Sequence, residues 1–335
     1  MSLINMGDDI NQKAEAAEGS SVIQALRDVY VVGPTLPQIL ETVDFQIKNQ
    51  FESLLYKHAP SIIQQEMSKV KESIDNFNSK INERITEEFK SLLFSLNEDQ
   101  AAKNLTEGVS DSNFQYLFKE SIEQVIRKKD QAPQDVLIEL LINKVNNVGN
   151  NTDYLIEEAI NTLKYLNKNH INFILFIGEI INNTGIYRER PFQFIELTHL
   201  SQIKWTCYYF LEQDLSKIDI DYLRYKGLIF ENKYYVHNPE VYDRIGNSCI
   251  PQEFKNKFNK SNEELIRLFL PELDIILEKF GLTTPYQIDV LSKIADTICI
   301  KNRYNLMKNI EKYRNNNKTL QDEWRNTLSE HFIDE

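Results

Sequence analysis

The sequence predicts a mainly α-helical protein, and three observations carry that prediction. Only 10 Gly and 9 Pro punctuate 335 residues, which favours long uninterrupted helices over many short strands. Apolar residues recur at steps of three and four along most of the chain, the spacing of a helix with one buried face. Alternation with a period of two is confined to the front of the chain and to one short stretch near 228–237, so β structure is expected only there.

The front segment, 1–34, reads as a β assembly segment. Ile10, Gln12, Ala14 and Ala16 share one parity, Gly19-Ser20-Ser21 reads as a turn, and Ile23, Ala25, Arg27, Val29 and Val31 resume the alternation. A two-stranded hairpin is marginal by itself in water, so this one is expected to pair with neighbouring copies of the chain. Ile23, Ala25, Val29 and Val31 are its candidate contact residues.

Residues 35–97 read as a long helical stalk. After Gly33-Pro34 and Pro37, apolar residues from Leu36 to Leu55 keep helical spacing up to Pro60. A second helix follows on Ile63, Met67, Val70, Ile74, Phe77, Ile81, Ile85, Phe89, Leu92 and Leu96, whose steps average about 3.67 residues, a repeat that needs little supercoil. From Pro60 to Asn97 it would extend roughly 57 Å. An apolar stripe that long suits a coiled coil between copies, so Ile63 to Phe89 join the candidate oligomerisation residues.

The polar stretch 98–113 contains Gly108 and reads as a linker. Residues 114–335 read as a helical body. Helices are expected on Phe114 to Ile126 and on Val136 to Val145, with an αα-hairpin of Tyr154 to Leu166 and Ile171 to Ile181, and a further helix on Phe192 to Leu211. Ile218 to Lys226 ends at Gly227, a C′ glycine. Leu228-Ile229-Phe230 and Tyr234-Tyr235-Val236 flank Glu231-Asn232-Lys233 as a β-hairpin, which gives this stretch a winged-helix look. Helices on Asn262 to Phe280, Pro285 to Ile300 and Asn302 to Phe332 complete the body.

Charge and cysteine usage restrict the function classes. With 38 Lys+Arg against 50 Asp+Glu the formal net charge is −12, so attraction to nucleic acid or anionic lipid requires a local basic patch. The three cysteines, Cys207, Cys249 and Cys299, are scattered, which fits a reducing, cytoplasmic compartment. Neither a secretory signal nor a membrane-spanning run is expected.

Motifs of catalysis are weak. The five histidines lie far apart and no HExxH, GxxxxGK[ST], GxGxxG or GxSxG occurs, so no metal and no cofactor is expected and the chain reads as non-enzymatic. Asp221 with Glu231 and Lys233 superficially matches a metal-dependent nuclease, but the triplet sits at a predicted turn where that chemistry wants a buried strand. DNA reading by the winged-helix stretch is disfavoured because Asp219, Asp221, Arg224 and Lys226 make its helix nearly neutral. One segment is locally basic: Lys301, Arg303, Lys308, Lys312, Arg314 and Lys318 oppose only Glu311. Lys301, Lys308 and Lys312 are its candidate phosphate-contacting residues, for a nucleic acid or a lipid surface. The competing and preferred reading is an amphipathic core helix with Leu306, Ile310, Tyr313, Leu320, Trp324 and Leu328 behind it.

The front half carries a resemblance. Gly7-Asp8-Asp9-Ile10-Asn11-Gln12 and Glu18-Gly19-Ser20-Ser21-Val22-Ile23-Gln24-Ala25-Leu26-Arg27-Asp28-Val29 are similar to the GDN…Q…GDxSTNIQAGRDV-like opening of an uncharacterised bacterial family that continues into a long helix. Leu140-Leu141, Val145, Ala159 and Leu163 match its later apolar pattern, while Leu26 departs from the Ala or Gly usual at that place. The resemblance implies no catalytic residues. It implies a role in defence against phage by association, as a sensor or effector scaffold, with a second protein of a defence operon as a partner.

Overall fold

A computed structural model describes residues 22–24, 29–31, 35–58, 64–129, 132–146, 153–184, 193–230, 240–282 and 290–332. The described residues are mainly helical, as the periodicity predicts. The chain opens with β1 (Val22–Gln24) and β2 (Val29–Val31), then α1 (Leu36–His58) and α2 (Gln64–Leu92). Four shorter helices follow, α3 (Glu98–Ser110), α4 (Ser112–Lys128), α5 (Gln134–Asn146) and α6 (Asp153–Leu163). The centre holds α7 (Lys168–Thr184), α8 (Gln193–Leu211), α9 (Ile220–Tyr225) and β3 (Ile229–Phe230). The last part comprises α10 (Val241–Cys249), α11 (Gln252–Phe258), α12 (Asn262–Phe269), α13 (Pro271–Lys279), β4 (Val290–Leu291), α14 (Lys293–Asn316) and α15 (Lys318–Phe332).

The long stripe is filled from within the chain. Val70, Ile74, Phe77, Ile81, Ile85 and Phe89 are 0–5 % exposed, because α2 packs against α1, α4 and α5. This corrects the expectation that copies share the stripe. α1 brings Ile39, Val43 and Ile47 to the same core, and Phe77 meets Phe118 of α4 at 6.4 Å between ring centroids. Met67 lies on α2, and Ile63 falls outside the described residues. The rod is also shorter than expected, since α2 ends at Leu92.

The stretch 98–113 is a helix and a cap, not a linker. Asn97 accepts a hydrogen bond from the Gln100 amide and Glu98 and Asp99 occupy the first turn of α3, where they suit the positive end of the helix dipole. Asp111 then caps α4 by accepting from the Phe114 amide. Gly108 marks a close helix crossing: a Cβ there would lie 2.7 Å from the Val145 carbonyl oxygen of α5.

Elsewhere the structure shifts several expected boundaries. α6 and α7 exist but diverge, α6 packing on α5 and α14 while α7 packs on α8 and α14. α7 is apolar round nearly its whole circumference from Phe173 to Ile180, so it is enclosed instead of paired with one neighbour. The helix expected from Asn262 to Phe280 breaks at Leu270, because Pro271 starts α13 and pushes the preceding residue off helical geometry, to φ −130° and ψ 55°. The break expected at 301 is absent, and α14 runs unbroken to Asn316.

The short β elements pair differently from expectation. β1 and β2 are antiparallel with Val22 opposite Val31 and Gln24 opposite Val29, so 23–31 is not one strand; Ala25 and 10–21 lie outside the described residues. Ile229 of β3 pairs with Leu291 of β4, and 234–236, the strand expected opposite it, lies outside the described residues. Gly227 has φ +66° and its amide bonds to Arg224 O, while the Leu228 amide bonds to Leu223 O at 3.0 Å. This is a Schellman closure, with Gly227 at the C′ position the sequence predicts, and Leu277–Leu282 repeats it at Gly281.

Lys128 closes α6 from a neighbouring helix. Its Nζ donates to Leu163 O and Leu166 O, both at 2.6 Å, and burial, aided by Arg127, lowers its pKa to about 8.

Two outcomes follow from this packing. Gly→Ala inside a helix ordinarily gains about 1 kcal/mol, but Gly108→Ala should lose about 1–3 kcal/mol to overpacking, read as a lower urea midpoint; a higher midpoint contradicts the crossing. For Lys128, the folded pKa lies below the ordinary 10.5, so from pH 8 to 10.5 the unfolded chain holds the extra proton and stability rises with pH. The thermal midpoint of the wild type should therefore gain on Lys128→Met over that range. Parallel pH profiles would show that Lys128 does not carry the effect.

Candidate functional site

Polar side chains from five helices meet around a cleft of about 570 Å³. α2 supplies Glu72, Ser73, Asn76 and Lys80, and the segment entering α5 supplies Ala132, Pro133, Gln134, Asp135 and Val136. α7 contributes Lys168, Ile171, Asn172 and Leu175, and α8 contributes Tyr209 and Gln213. α14 closes it with Asn302, Asn305, Leu306 and Asn309.

The side from α2 and α5 is braced. Asn76 Nδ2 donates to Gln134 Oε1 at 3.1 Å, and Gln134 Nε2 donates to Ser73 O at 3.3 Å. Lys80 Nζ reaches Asp135 Oδ1 at 2.8 Å at the rim. Further along the same two helices, Arg84 grips Glu139 through Nε at 2.5 Å and Nη2 at 3.1 Å, a bidentate pair that fixes their relative orientation. These bonds raise the Arg84 pKa above its ordinary value, against the lowering effect of burial.

The opposite side leaves two amide atoms unmet. Asn302 is 3 % exposed. Its Nδ2 donates to Ile298 O at 2.8 Å, so the neighbouring carbonyl fixes the orientation of the amide and its Oδ1 is the atom without a partner. On α7, buried Asn172 Nδ2 also has no partner. A buried polar atom in that condition costs about 1–3 kcal/mol. Tyr209 has its pKa raised, first by burial and then by Asp135, while its bond with Asn309 opposes the rise.

The expected site residues are dispersed. Ile23, Val29 and Val31 lie on the β1–β2 pair, remote in sequence from the core stripe of α2. Lys301, Lys308 and Lys312 lie on α14, with Lys301 half-buried and the other two exposed. Lys308 Nζ bonds to Glu87 Oε1 at 3.0 Å and Arg303 Nε bonds to Glu179 Oε2 at 3.2 Å. Two carboxylates from α2 and α7 thus offset charge that the linear sequence leaves unopposed. Lys308 and Glu87 shift each other, the lysine upward and the carboxyl downward, with burial opposing both shifts. Behind the charges, Ile298, Leu306 and Ile310 face the core, as the amphipathic reading of this helix expects.

Asp221 pairs with Arg224 at 3.0 Å and its side chain is 87 % exposed; Glu231 and Lys233 lie outside the described residues. Among the described residues no group of three His, Cys, Asp or Glu gathers at metal-binding range. No described helix is long and apolar enough to cross a membrane.

Sequence reasoning missed the cleft because a lining of amides matches no catalytic or metal-binding motif. A signal was present. Asn302, Asn305 and Asn309 recur at i, i+3 and i+7 beside the apolar stripe of α14, which places them on one helical face.

A family model matches residues 46–334. No curated protein and no solved structure matches the chain.

The bracing has a measurable consequence. Gln134→Leu strips the Asn76 amide and the Ser73 carbonyl of their partner and should cost about 1–3 kcal/mol. Chemical denaturation of the variant reads that loss, and an unchanged midpoint would remove Gln134 as the brace between α2 and α5.

Proposed function

The chain belongs to the uncharacterised family whose model covers residues 46–334, and we propose that it is a non-enzymatic, self-assembling protein serving as a sensor or effector scaffold in bacterial defence against phage. The observation that carries this reading is the β1–β2 ribbon. It lies ahead of the matched region, and among the described residues each of its strands pairs only with the other. Two strands alone are marginally stable and offer unpaired edges, which a second copy can extend.

The helical stripe plays no part in that association, since α2 is covered within the chain. Assembly therefore falls to Ile23, Val29 and Val31 and their segment. The body supplies the sensing half of the proposal through its polar cleft. The defence role rests on the likeness of 7–29 to openings found on defence-associated proteins, and a second protein of the same operon is the partner that role calls for. Three cysteines outside any disulfide support a reducing, cytoplasmic setting.

Sedimentation of the full chain tests assembly. The wild type should sediment at a multiple of 39.4 kDa, and Val29→Lys combined with Val31→Lys should return it to the single-chain mass by placing charge on the strand. A wild type that sediments as one chain would overturn the proposal.

A further inference from the structure

Three tyrosine rings converge on one ammonium where the end of α6 meets α9. Lys226 Nζ lies 4.1 Å from the ring centre of Tyr165, 5.6 Å from that of Tyr222 and 5.7 Å from that of Tyr225, all within cation–π range. Neighbouring contacts hold the rings in place. Tyr165 sits in the turn after α6, Tyr222 and Tyr225 lie on α9, and the Tyr222 hydroxyl donates to Tyr165 O at 2.9 Å. His170, at the start of α7, stacks on Tyr222 with ring centres 5.3 Å apart.

We propose that these rings form a binding site for a quaternary ammonium group of the choline class, with Lys226 as the internal occupant that such a ligand displaces. The site is open to solvent, since Tyr165 is 58 % exposed and Tyr225 is 83 % exposed. Among the described residues Lys226 Nζ has neither a carboxylate nor a hydrogen-bond acceptor beside it, so ring faces alone hold it. Such a hold is weak at an exposed site.

The chemistry of the rings selects the ligand. A primary ammonium is strongly hydrated, and ring faces do not replace the water bonds it gives up. A trimethylammonium group has no N–H to satisfy and lays its methyl groups on the rings, which is how aromatic cages recognise quaternary ammonium ligands. Asp219 and Asp221 beside the same short helix offset Arg224 and Lys226, so an arriving cation meets no net positive charge.

Saturation-transfer NMR on the full-length protein tests this with choline, with its neutral carbon isostere, in which a tert-butyl group replaces the trimethylammonium, and with ethanolamine as the primary amine. Choline should bind saturably, ethanolamine more weakly, and the isostere about tenfold more weakly or worse. Tyr165→Leu, checked for an unchanged thermal midpoint, should weaken choline about fivefold or more; if it fails to fold, Tyr225→Leu replaces it. Lys226→Ala should tighten choline about threefold by removing the internal occupant. No saturable choline binding by the wild type, equal binding of the isostere or of ethanolamine, full affinity in the folded tyrosine variant, or unchanged or weaker binding by Lys226→Ala would each overturn the assignment. Cosedimentation with phosphatidylcholine vesicles separates the two sources of the group: vesicle binding lost in the tyrosine variant identifies a lipid headgroup, and choline binding without vesicle binding identifies the free small molecule.

Discussion

The arrangement of the whole body depends on how the apolar face of α2 is covered. A stripe from Val70 to Phe89 cannot stay in water, since burying each large aliphatic or aromatic side chain is worth about 1.5–3 kcal/mol. α1, α4 and α5 cover it, and doing so brings the start of α5 beside the middle of α2. Gln134 and Asp135 then reach Asn76 and Lys80. The cleft follows from that contact, because its near side is built from the two helices that the stripe holds together.

Charged residues between helices set the geometry that apolar packing leaves free. Lys204 is a clear case: its Nζ bonds both oxygens of Glu272, at 2.8 and 2.7 Å, and Phe269 O at 3.1 Å. It also lies 5.3 Å from the centre of the Trp324 ring, within cation–π range, so one side chain ties α8 to α12, α13 and α15. Lys144 with Glu157 and Arg84 with Glu139 act similarly across other helix pairs. Such pairs add little net stability over apolar substitutes, but removing one partner leaves a buried charge and costs about 3–5 kcal/mol. They therefore disfavour slipped packings more strongly than they favour the correct one.

The ends of the molecule contrast in the surfaces they leave. The body buries a large apolar core, including α7 from Phe173 to Ile180, although Tyr225, Ile300 and Tyr304 stay exposed. The β1–β2 ribbon, by contrast, has strands of three residues and no described partner beyond itself. The ribbon and the cleft thus lie on separate parts of the chain.

The chain's own residues determined its helical class, the buried face of α2 and the C′ glycine at Gly227, because each follows from propensity, periodicity or backbone conformation within a few residues. Tertiary structure alone decided that the α2 stripe is covered in the same chain, that 98–110 is helix packed through Gly108, and that Glu87 neutralises Lys308 from 221 residues away. It also decided that asparagines of α7 and α14 share one cleft. Periodicity reports which face of a helix must leave water and is silent about what covers it, since that depends on the relative placement of helices distant in sequence.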